Sequence, residues 1–583
     1  MPTLDWIGKT KVINHHQDVP FRVLERKYSY DEAGQHDEDN NSENMIIRGD
    51  NLEALKALLP RYEGKVKCIY IDPPYNTGNE GWVYNDNVND PKIKKWLGET
   101  VGKEGEDLTR HDKWLCMMYP RLKLLRKLLA PDGVIFISID DTEYANLKAV
   151  CDEIFGNNCF ISNISWQRTY STRNDSKGIV NEVEHILCYS KQPDWQPNKL
   201  PRTAEMDSKY KNPDNDTTLW RTDNAFAPGA ATHQGMVYAI QHPFTGKLLY
   251  PSNGACWRYQ QDTMLEIMCG WTEYELKDLD DAIERAKICG VAPDEVRSGV
   301  KGIVLSKPLE EASADAKVVL ERGQWPRFFF TKGGMGGIAR KTYLENVGGR
   351  LPTNFWPHAE TGHTDEAKKE MLAIFDGRAT FDTPKPSRLI EFVLRIASDQ
   401  DSLILDSFAG SGTTAHSVLK MNKSDGGNRR FILIEMMDYA ESITAERVKR
   451  VISGYGTAKN AVPGTGGNFS FYDLGDQLMI NGNLNEKVGT KKIREYVWYM
   501  ETKQSYAPAD PSQPYLLGKQ NDTAYYFYYD PEGVTTLDYA FLSTLTEKMD
   551  STVIYADRCA ISEKRLNDMG IIFKKIPRDI SKL

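Results

Sequence analysis

Four consecutive residues, Asp72, Pro73, Pro74 and Tyr75, have the types and spacing needed to hold a planar amino group. A carboxylate accepts N–H bonds, two prolines fix the chain, and a tyrosine offers a flat apolar face. The apolar run 66–71, typical of a buried parallel strand, comes directly before them. Because open α/β sheets bind ligands at the carboxyl ends of strands, the pattern predicts a site where an electrophile attacks the held amino group. An ordinary strand followed by a Pro-Pro turn has the same composition.

A loop of small residues forms a second candidate site, between two predicted strands at 402–406 and 430–435. Each strand ends in an acid, Asp406 and Glu435 respectively. Glycines let a ligand approach the backbone, and an acid after the next strand suits two ribose hydroxyls. The loop has neither GxGxxG nor a GKT or GKS sequence, which argues against NAD and ATP. A ribosyl ligand without a pyrophosphate fits better, and S-adenosylmethionine is the main such ligand.

The expected cofactor contacts come from this loop and the neighbouring strand ends. We expect the loop to contact the methionine and ribose parts, Glu435 to accept from the ribose hydroxyls, and Asp50 to lie near the adenine. Asp406 is included, although an acid at a strand end can also simply cap the following turn. The residues predicted from the pattern are Asp50, Asp406, Phe408, Ala409, Gly410, Gly412, Thr413 and Glu435.

Strand–helix–strand units must position these residues. Residues 45–59 read as a strand, a turn and a helix, and the strand ending at Asp72 comes next. Such βαβ units imply a parallel sheet with right-handed crossovers. If the strands ending at Asp406 and Glu435 are the first two of the sheet, the early strands become the third and fourth. The sequence therefore predicts an α/β, Rossmann-like fold with circularly permuted motif order and all the acids on one edge.

Changes in composition mark the domain boundaries. Between the two halves of the predicted sheet the sequence is polar, aromatic-rich and irregular, with a single long charged helix predicted near 262–289. We interpret this block as an inserted module. The predicted domains are an N-terminal arm (1–43), the catalytic half of the core (44–191), the inserted module (192–351), the cofactor-binding half (352–455) and a small C-terminal α/β domain for oligomerisation or partner docking (456–583).

Bulk composition limits the class of protein. The 583 residues carry a net charge of -9 with a pI of about 5.7, which argues against a polyanionic partner. A basic run between residues 92 and 127 departs locally from that average. The nine cysteines are scattered singly, so neither a disulfide framework nor a metal site is expected. Without an apolar run of membrane-spanning length or a signal peptide, the sequence predicts a cytoplasmic enzyme.

The two motifs together resemble a known family. DPPYNTG at 72–78, preceding FAGSGTT at 408–414, is similar to the β-class of DNA amino-methyltransferases, over roughly residues 5–455. That family has a class I methyltransferase fold with an inserted target-recognition domain. The segment 383–390 resembles the family's TPKP segment, and this resemblance alone places Lys385 and Pro386 beside the methionine end of the cofactor. Finer matches point to the modification subunits of Type III restriction systems, at residues 5–9, 49–51, 137–140 and 212–216.

The resemblance implies methyl transfer from S-adenosylmethionine to the exocyclic amino group of an adenine flipped out of double-stranded DNA. Asp72 and the Pro73 carbonyl would hold the amino group, and Tyr75 would stack on the base. It also implies a homodimer and a separate ATP-dependent restriction subunit. Alternatives are the amino group of cytosine, an RNA or protein amide substrate, and a DNA-reading subunit without catalysis.

Basic residues of the inserted module are the candidate DNA contacts. Residue by residue, an ordinary surface or core role is favoured, because sequence does not locate side chains at base edges. The candidates are Arg221, Arg258, Arg327, Lys332, Arg340 and Lys341.

Overall fold

The computed structural model describes residues 3–77, 95, 110–170, 179–457, 460–504, 506–507, 511–545, 547 and 549–578. Part of the basic run between residues 92 and 127, including Lys94, Trp96 and Lys103, lies outside the described residues. The chain divides into two compact units. One comprises Met1–Asn198 with Pro352–Leu583, and the other is Lys199–Leu351.

An 11-stranded sheet forms the centre of the first unit. Its strands in chain order are β1 (Arg22–Asp31), β2 (Gly34–His36), β3 (Met45–Arg48), β4 (Val66–Ile71), β5 (Leu129–Ile139), β6 (Phe160–Gln167), β7 (Val183–Ser190), β8 (Phe355–Trp356), β9 (Leu403–Asp406), β10 (Arg430–Glu435) and β11 (Phe469–Gln477). Their order across the sheet is β8-β6-β7-β5-β4-β9-β10-β3-β11-β1-β2. The middle strands, from β5 to β11, run parallel to one another.

The late strand β9 lies between the early strand β4 and the late strand β10. Leu405 of β9 is opposite Ile69 on one side and Ile432 on the other. β10 in turn pairs with β3, where Glu435 is opposite Arg48. Because parallel strands end at the same edge, the residues that come directly after β3, β4, β9 and β10 are brought together. This topology confirms the predicted Rossmann-like sheet with permuted motif order.

Helices cover the middle of the sheet, whose strands β4, β5 and β9 are buried along most of their length. Four buried leucines form the apolar face of α1, as the sequence predicts. Within the described part of the chain, no helix is long and apolar enough to cross a bilayer. The longer helices are α1 (Asn51–Tyr62), α2 (Arg110–Leu128), α3 (Tyr144–Phe155), α4 (Thr364–Ile374), α5 (Ser387–Ala397), α6 (Thr413–Asp425) and α7 (Glu446–Ser453), and the short ones are Lys9–Val12, His15–Asp18 and His358–Thr361.

The strands near one edge of the central sheet come from outside the two predicted halves of the core. β1 and β2 come from the predicted N-terminal arm, and β11 comes from the predicted C-terminal domain. Arg48 of β3 donates two hydrogen bonds of 2.8 Å to Asp473 of β11, which fixes this junction. The expected boundary near 455 therefore does not separate the sheet from the C-terminal part of the chain. β11 completes the sheet.

The remaining C-terminal residues form a small α/β layer against α1. Its four-stranded sheet has the order Leu516–Gln520, Thr523–Phe527, Ser551–Ala556, Ile571–Lys575. A helix, Thr490–Thr502, supplies Glu495, which pairs with Arg61 of α1, and Tyr499, whose hydroxyl donates to Glu63. Short helices at Tyr539–Ser543 and Glu563–Asp568 and short strands at Gly454–Tyr455, Val462–Pro463, Met479–Ile480, Asn483–Leu484, Thr536–Leu537 and Arg558–Cys559 complete this part.

The second unit, Lys199–Leu351, contains three small sheets. One has the order Leu248–Leu249, Ile240–Gln241, Gly302–Leu305, Tyr274–Lys277; the second has Phe328–Phe330, Ile338–Tyr343, Trp220–Asn224; the third pairs Ala255–Trp257 with Phe226–Pro228. Its helices are Ala204–Asp207, Gln261–Met268, Ala282–Cys289 and Leu309–Arg322.

The prediction of a single long helix near 262–289 is wrong. Two helices form there, and the strand Tyr274–Lys277 lies between them. The first helix stops before Gly270 because the next residue, Trp271, turns into the core and donates its indole N–H to the Phe328 carbonyl at 2.8 Å. Tertiary packing of one large aromatic side chain therefore overrides the helical periodicity.

Lys341 is not available to DNA, which corrects its predicted role. Its side chain is fully buried, and its ammonium lies 2.5 Å from Asp214 and 2.6 Å from Asp216. It also donates to the Trp325 carbonyl at 2.8 Å and lies over the Trp220 ring. A buried lysine with two carboxylate partners holds strands and loops together and presents no charge at the surface.

Replacing Lys341 is predicted to destabilise the second unit. In the variant Lys341→Met the buried Asp214 and the partly buried Asp216 lose their cation, which costs about 3–5 kcal/mol of unfolding free energy. Chemical denaturation followed by tryptophan fluorescence measures the loss, since Trp220 lies against this group. The control is Lys317→Met on the exposed face of the helix Leu309–Arg322, expected to change stability by about 0.5 kcal/mol or less. Equal effects of the two substitutions would contradict the structural role.

Candidate active site

The turn after β4 carries Asp72 and is held by side chains from α2 and the start of α3. Trp114 of α2 donates its indole N–H to the Pro74 carbonyl oxygen at 2.6 Å. Asn76 lies in the left-handed region with φ of 61° and donates its amide to the fully buried carboxylate of Glu143. These contacts fix the backbone within the tetrapeptide and directly after it, and β4 fixes the residues before it, so Asp72 has a defined position at the strand end.

A buried network of charged groups surrounds Asp72. The Lys385 ammonium lies 2.8 Å from both Asp72 oxygens and 2.8 Å from the Tyr75 hydroxyl. The Tyr75 hydroxyl is 2.9 Å from Asp72 and 3.2 Å from Glu184. Glu184 is also 3.6 Å from the Lys385 ammonium, and its other oxygen accepts from Arg168 at 2.6 Å. Two acids, two cations and a phenol therefore form one connected cluster.

The electrostatics of this cluster favour a charged Lys385. Burial opposes its charge, but the carboxylates of Asp72 and Glu184 outweigh that effect and raise the lysine pKa. Burial likewise opposes ionisation of Glu184, yet Lys385 and Arg168 together lower its pKa. For Asp72, burial outweighs the neighbouring ammonium and raises the pKa. Of the two acids, Asp72 therefore has the pKa that burial raises, and its ionisation depends more than that of Glu184 on a neighbouring cation or hydrogen-bond donor.

Sequence reasoning missed Glu184 and Arg168. Glu184 is on β7 and Arg168 comes directly after β6, and these antiparallel neighbours bring the two side chains together. The available signal was an acid at a buried position of an otherwise apolar strand, which requires a partner.

The glycine loop after β9 is shaped by Asp406 and by two left-handed residues. The Asp406 carboxylate accepts from the Phe408 N–H at 3.0 Å and from the Thr414 hydroxyl at 2.6 Å, so it caps the loop. Burial raises the pKa of Asp406 to about 7. Gly410 and Gly412 have φ of 51° and 80°, a conformation that favours glycine. The contact of Asp406 with a cofactor stays a prediction.

Arg447 stabilises this loop through hydrogen bonds to two of its side chains. It is fully buried on α7 and donates to the hydroxyls of Ser411 and Thr413 at 2.9 and 2.8 Å. Its remaining charge is paired with Glu370 of α4 at 3.0 Å. Sequence reasoning missed both residues. An arginine on the apolar face of an amphipathic helix was the signal that would have found Arg447.

Glu435 and Asp50 lie at neighbouring strand ends, as predicted. Glu435 accepts the N–H groups of Gly410 at 2.8 Å and Met437 at 2.9 Å, and burial raises its pKa to about 7. Asp50 caps α1 by accepting from the Leu52 N–H at 2.8 Å, and Arg121 lies 3.3 Å away. Binding of a nucleoside by these two acids remains a prediction, since these hydrogen bonds are to the protein itself.

A cavity that is open to solvent joins the two motifs. It lies between the end of β4, the glycine loop and the segment that enters α5. Its lining residues are Tyr70, Asp72, Phe381, Thr383, Pro384, Lys385, Asp406, Phe408, Ala409, Gly410, Ser411, Thr413 and Thr414. Lys385 therefore reaches the cavity as the resemblance implies, whereas Pro386 is buried at the start of α5.

The donor set of this region fits a polar ribosyl ligand. A Cβ on Gly412 would lie 3.0 Å from the Thr444 carbonyl oxygen, so the loop has no room for a side chain there. The buried Ser407 hydroxyl has no hydrogen-bond partner among the described residues. A buried carboxylate, aromatic rings and open backbone groups are the features that such a ligand needs.

The predicted DNA contacts lie in the second unit. Arg221, Arg258, Arg327 and Lys332 are exposed. Arg340 is partly buried and pairs with Asp223. The exposed side chains are accessible to a polyanion, and their contact with DNA stays a prediction.

Two curated relatives match most of the chain. The Type III restriction-modification enzyme StyLTI Mod subunit of Salmonella typhimurium is 35% identical over 408 residues, which are 68% of this chain and 53% of the relative. The Type III restriction-modification enzyme EcoP15I Mod subunit of Escherichia coli is 28% identical over 503 residues, 78% of this chain and 67% of the relative. The chain thus spans about half to two thirds of the length of these relatives.

A family model described as DNA methylase, of the N6 and N4 type, matches residues 66–446. The match begins with β4, includes both the Asp72 turn and the glycine loop, and ends at the start of α7. It therefore contains every residue that lines the cavity. The chain belongs to this family of DNA methylases.

Proposed function

We propose that the protein transfers a methyl group from S-adenosylmethionine to the exocyclic amino group of an adenine flipped out of duplex DNA. The observation that carries this proposal is the cavity lined by both Asp72 and the glycine loop. An amino-group acceptor and a ribosyl-ligand loop have no reason to share one cavity unless their ligands react with each other.

The cofactor would supply a methyl group bound to a positively charged sulfur, which makes that carbon electrophilic. The loop from Phe408 to Thr413 would hold its methionine and ribose parts, and Glu435 would accept from the ribose hydroxyls. Asp50 would accept from the adenine amino group. Pro386 sets the start of α5 and Lys385 reaches the cavity, at the predicted methionine end.

Asp72 and the Pro73 carbonyl would each accept one N–H of the target amino group. That arrangement moves the nitrogen from planar toward tetrahedral geometry and aims its lone pair at the methyl carbon. The lone pair would then form a bond to the methyl carbon that the cofactor supplies, the electrons of the broken S–C bond would stay with the cofactor sulfur, and one proton would leave the nitrogen for Asp72 or solvent. The carboxylate stabilises the positive charge that develops on nitrogen during transfer. Alignment of the two reactants contributes the rest of the rate.

Tyr75 is the proposed stacking partner of the flipped base. Flipping costs a few kcal/mol, and stacking on an aromatic ring offsets part of that cost. In this structure the ring is buried, with 4% exposed, and its hydroxyl belongs to the Asp72 cluster. Stacking therefore requires the ring to leave that position.

The relatives suggest the biological setting. Because both relatives are named as Mod subunits of Type III restriction-modification enzymes, we infer that this chain is a modification and recognition subunit. Its partners would be duplex DNA, a second copy of the chain and a separate ATP-dependent restriction subunit. The unit Lys199–Leu351 is the candidate target-recognition domain, with the exposed residues Arg221, Arg258, Arg327 and Lys332 as its first contacts.

Substrate mapping tests the proposal directly. The protein is incubated with labelled S-adenosylmethionine and bacterial genomic DNA, and modified bases are located by single-molecule sequencing. Label on the adenine amino group, within one sequence context, is expected. Label on cytosine or RNA would overturn the adenine assignment, and absence of transfer would favour a DNA-reading subunit without catalysis.

The variant Asp72→Asn is predicted to abolish most methyl transfer. It keeps the shape of the side chain but removes the charge that stabilises the developing cation, so the transfer rate should fall at least about 10²–10³-fold. Cofactor affinity, measured by calorimetry, should stay within about threefold, because Asp72 holds the substrate. The matched control is the exposed Asp568→Asn. Loss of cofactor binding in Asp72→Asn would show that Asp72 belongs to the cofactor site instead.

Cofactor affinity is predicted to rise with pH. With its pKa raised by burial to about 7, Glu435 is mostly protonated in acid, and once ionised it becomes a stronger, charged acceptor for the two ribose hydroxyls. Affinity for S-adenosylmethionine should increase about tenfold from about pH 6 to pH 8. The variant Glu435→Gln should flatten this dependence. An unchanged profile in that variant would assign the titration to another group, such as Asp406.

A further inference from the structure

Lys385 occupies the place that the target amino group needs. Its ammonium is equidistant, at 2.8 Å, from the two Asp72 oxygens, and both residues are about one tenth exposed. If Asp72 holds a substrate amino group, as proposed above, that group and the ammonium compete for the same carboxylate. The amino nitrogen also becomes positive during transfer, so a lysine that remained beside it would oppose the reaction.

A second carboxylate is already in place to receive the lysine. Glu184 is buried, and its nearer oxygen is 3.6 Å from the Lys385 ammonium. Its farther oxygen accepts from Arg168 at 2.6 Å, which fixes the orientation of the carboxylate. A small movement of the flexible lysine end would therefore exchange its ion pair with Asp72 for one with Glu184, and the amino N–H groups of the base would then be the hydrogen-bond partners of Asp72.

The Tyr75 hydroxyl connects the two carboxylates. It is 2.8 Å from the Lys385 ammonium, 2.9 Å from Asp72 and 3.2 Å from Glu184. While Lys385 stays on Asp72, these bonds hold the phenol ring in its buried position. When the lysine moves to Glu184, the contact of its ammonium with the Tyr75 hydroxyl at Asp72 is lost, which lowers the cost of moving the ring toward a base.

We propose that Glu184, oriented by Arg168, is a positioning residue that takes Lys385 from Asp72 when the target base enters. In the DNA-free protein the lysine keeps Asp72 paired and the Tyr75 ring closed. In the DNA-bound protein Glu184 holds the lysine, and Asp72 is available to the amino group. This inference rests on the proposed amino-group methylation and adds a role that neither sequence motif contains.

The test is a double-mutant cycle with Glu184→Gln and Lys385→Met in the full-length protein. Single-turnover methyl transfer to substrate DNA is measured at saturating S-adenosylmethionine, and cofactor affinity is measured separately for each variant. Glu184→Gln leaves the lysine on Asp72 and should slow transfer at least tenfold. The double variant has no lysine to remove, so it should transfer at least tenfold faster than Glu184→Gln alone.

Recovery in the double variant is a result that a merely structural Glu184 would not give. If the two substitutions slow transfer multiplicatively, the lysine exchange is overturned. The exposed Glu563→Gln is the matched control and should transfer at the wild-type rate. Thermal denaturation of each variant separates misfolding from slow chemistry, and a variant that fails to fold is replaced by Arg168→Gln. Arg168→Gln removes the ion pair that orients the Glu184 carboxylate. An unchanged transfer rate in this variant would count against the inference.

The wild-type reaction separates this inference from the proposed function. A wild-type protein that methylates no base overturns the proposed function itself. An active wild type with multiplicative variants overturns the lysine exchange alone. If the product is methylated on the amino group of cytosine, the same cycle applies to that substrate, because Asp72 would hold either amino group.

Discussion

The pairing of β9 between β4 and β10 is the interaction on which the whole site depends. Its three apolar residues are buried, and burying each such side chain contributes about 1.5–3 kcal/mol. A slip of one residue would exchange these side chains between the two packed faces of the sheet and would move Asp406 away from its place at the strand end, so the register is strongly specified. Asp406, one residue after Leu405, is therefore level with Tyr70, two residues before Asp72, although more than half the chain separates the two acids. The order of the motifs along the sequence matters little, because the late strands β9 and β10 lie between the early strands β4 and β3.

Several buried cations in this protein have an acid partner. Lys385 pairs with Asp72, Arg447 with Glu370, Lys341 with Asp214, and Arg578 with Asp557. Such pairs add little net stability, because desolvation offsets attraction, but removing one partner is costly. Their effect is to allow few alternative arrangements of the side chains involved. At the site this means that Asp72 and the glycine loop have defined positions without any ligand.

Sequence predicted the residues whose position depends on strand ends and missed those that depend on distant partners. Asp72, Asp406 and Glu435 come directly after or at the end of buried apolar runs, so the parallel fold alone places them on a common edge. Glu184 and its partners come from separate elements, and local sequence carries no record of which acid meets which cation. In the second unit, adjacent strand residues point to opposite faces, so Arg340 and Lys341 could not both face solvent. Only packing decides that the lysine is the one inside.

The network that organises the site also closes it, and this closure bears on which base is accepted. To reach Tyr75 a base must break hydrogen bonds of the phenol, each worth about 0.5–1.5 kcal/mol net, after a few kcal/mol for flipping. Stacking returns about 1–3 kcal/mol, which alone does not cover both costs. A base with an exocyclic amino group gains bonds to Asp72 and the Pro73 carbonyl as well. Thymine has no such group and offers stacking only. Under the proposed function, the closed cluster would therefore discriminate in favour of amino-bearing bases before any chemistry takes place.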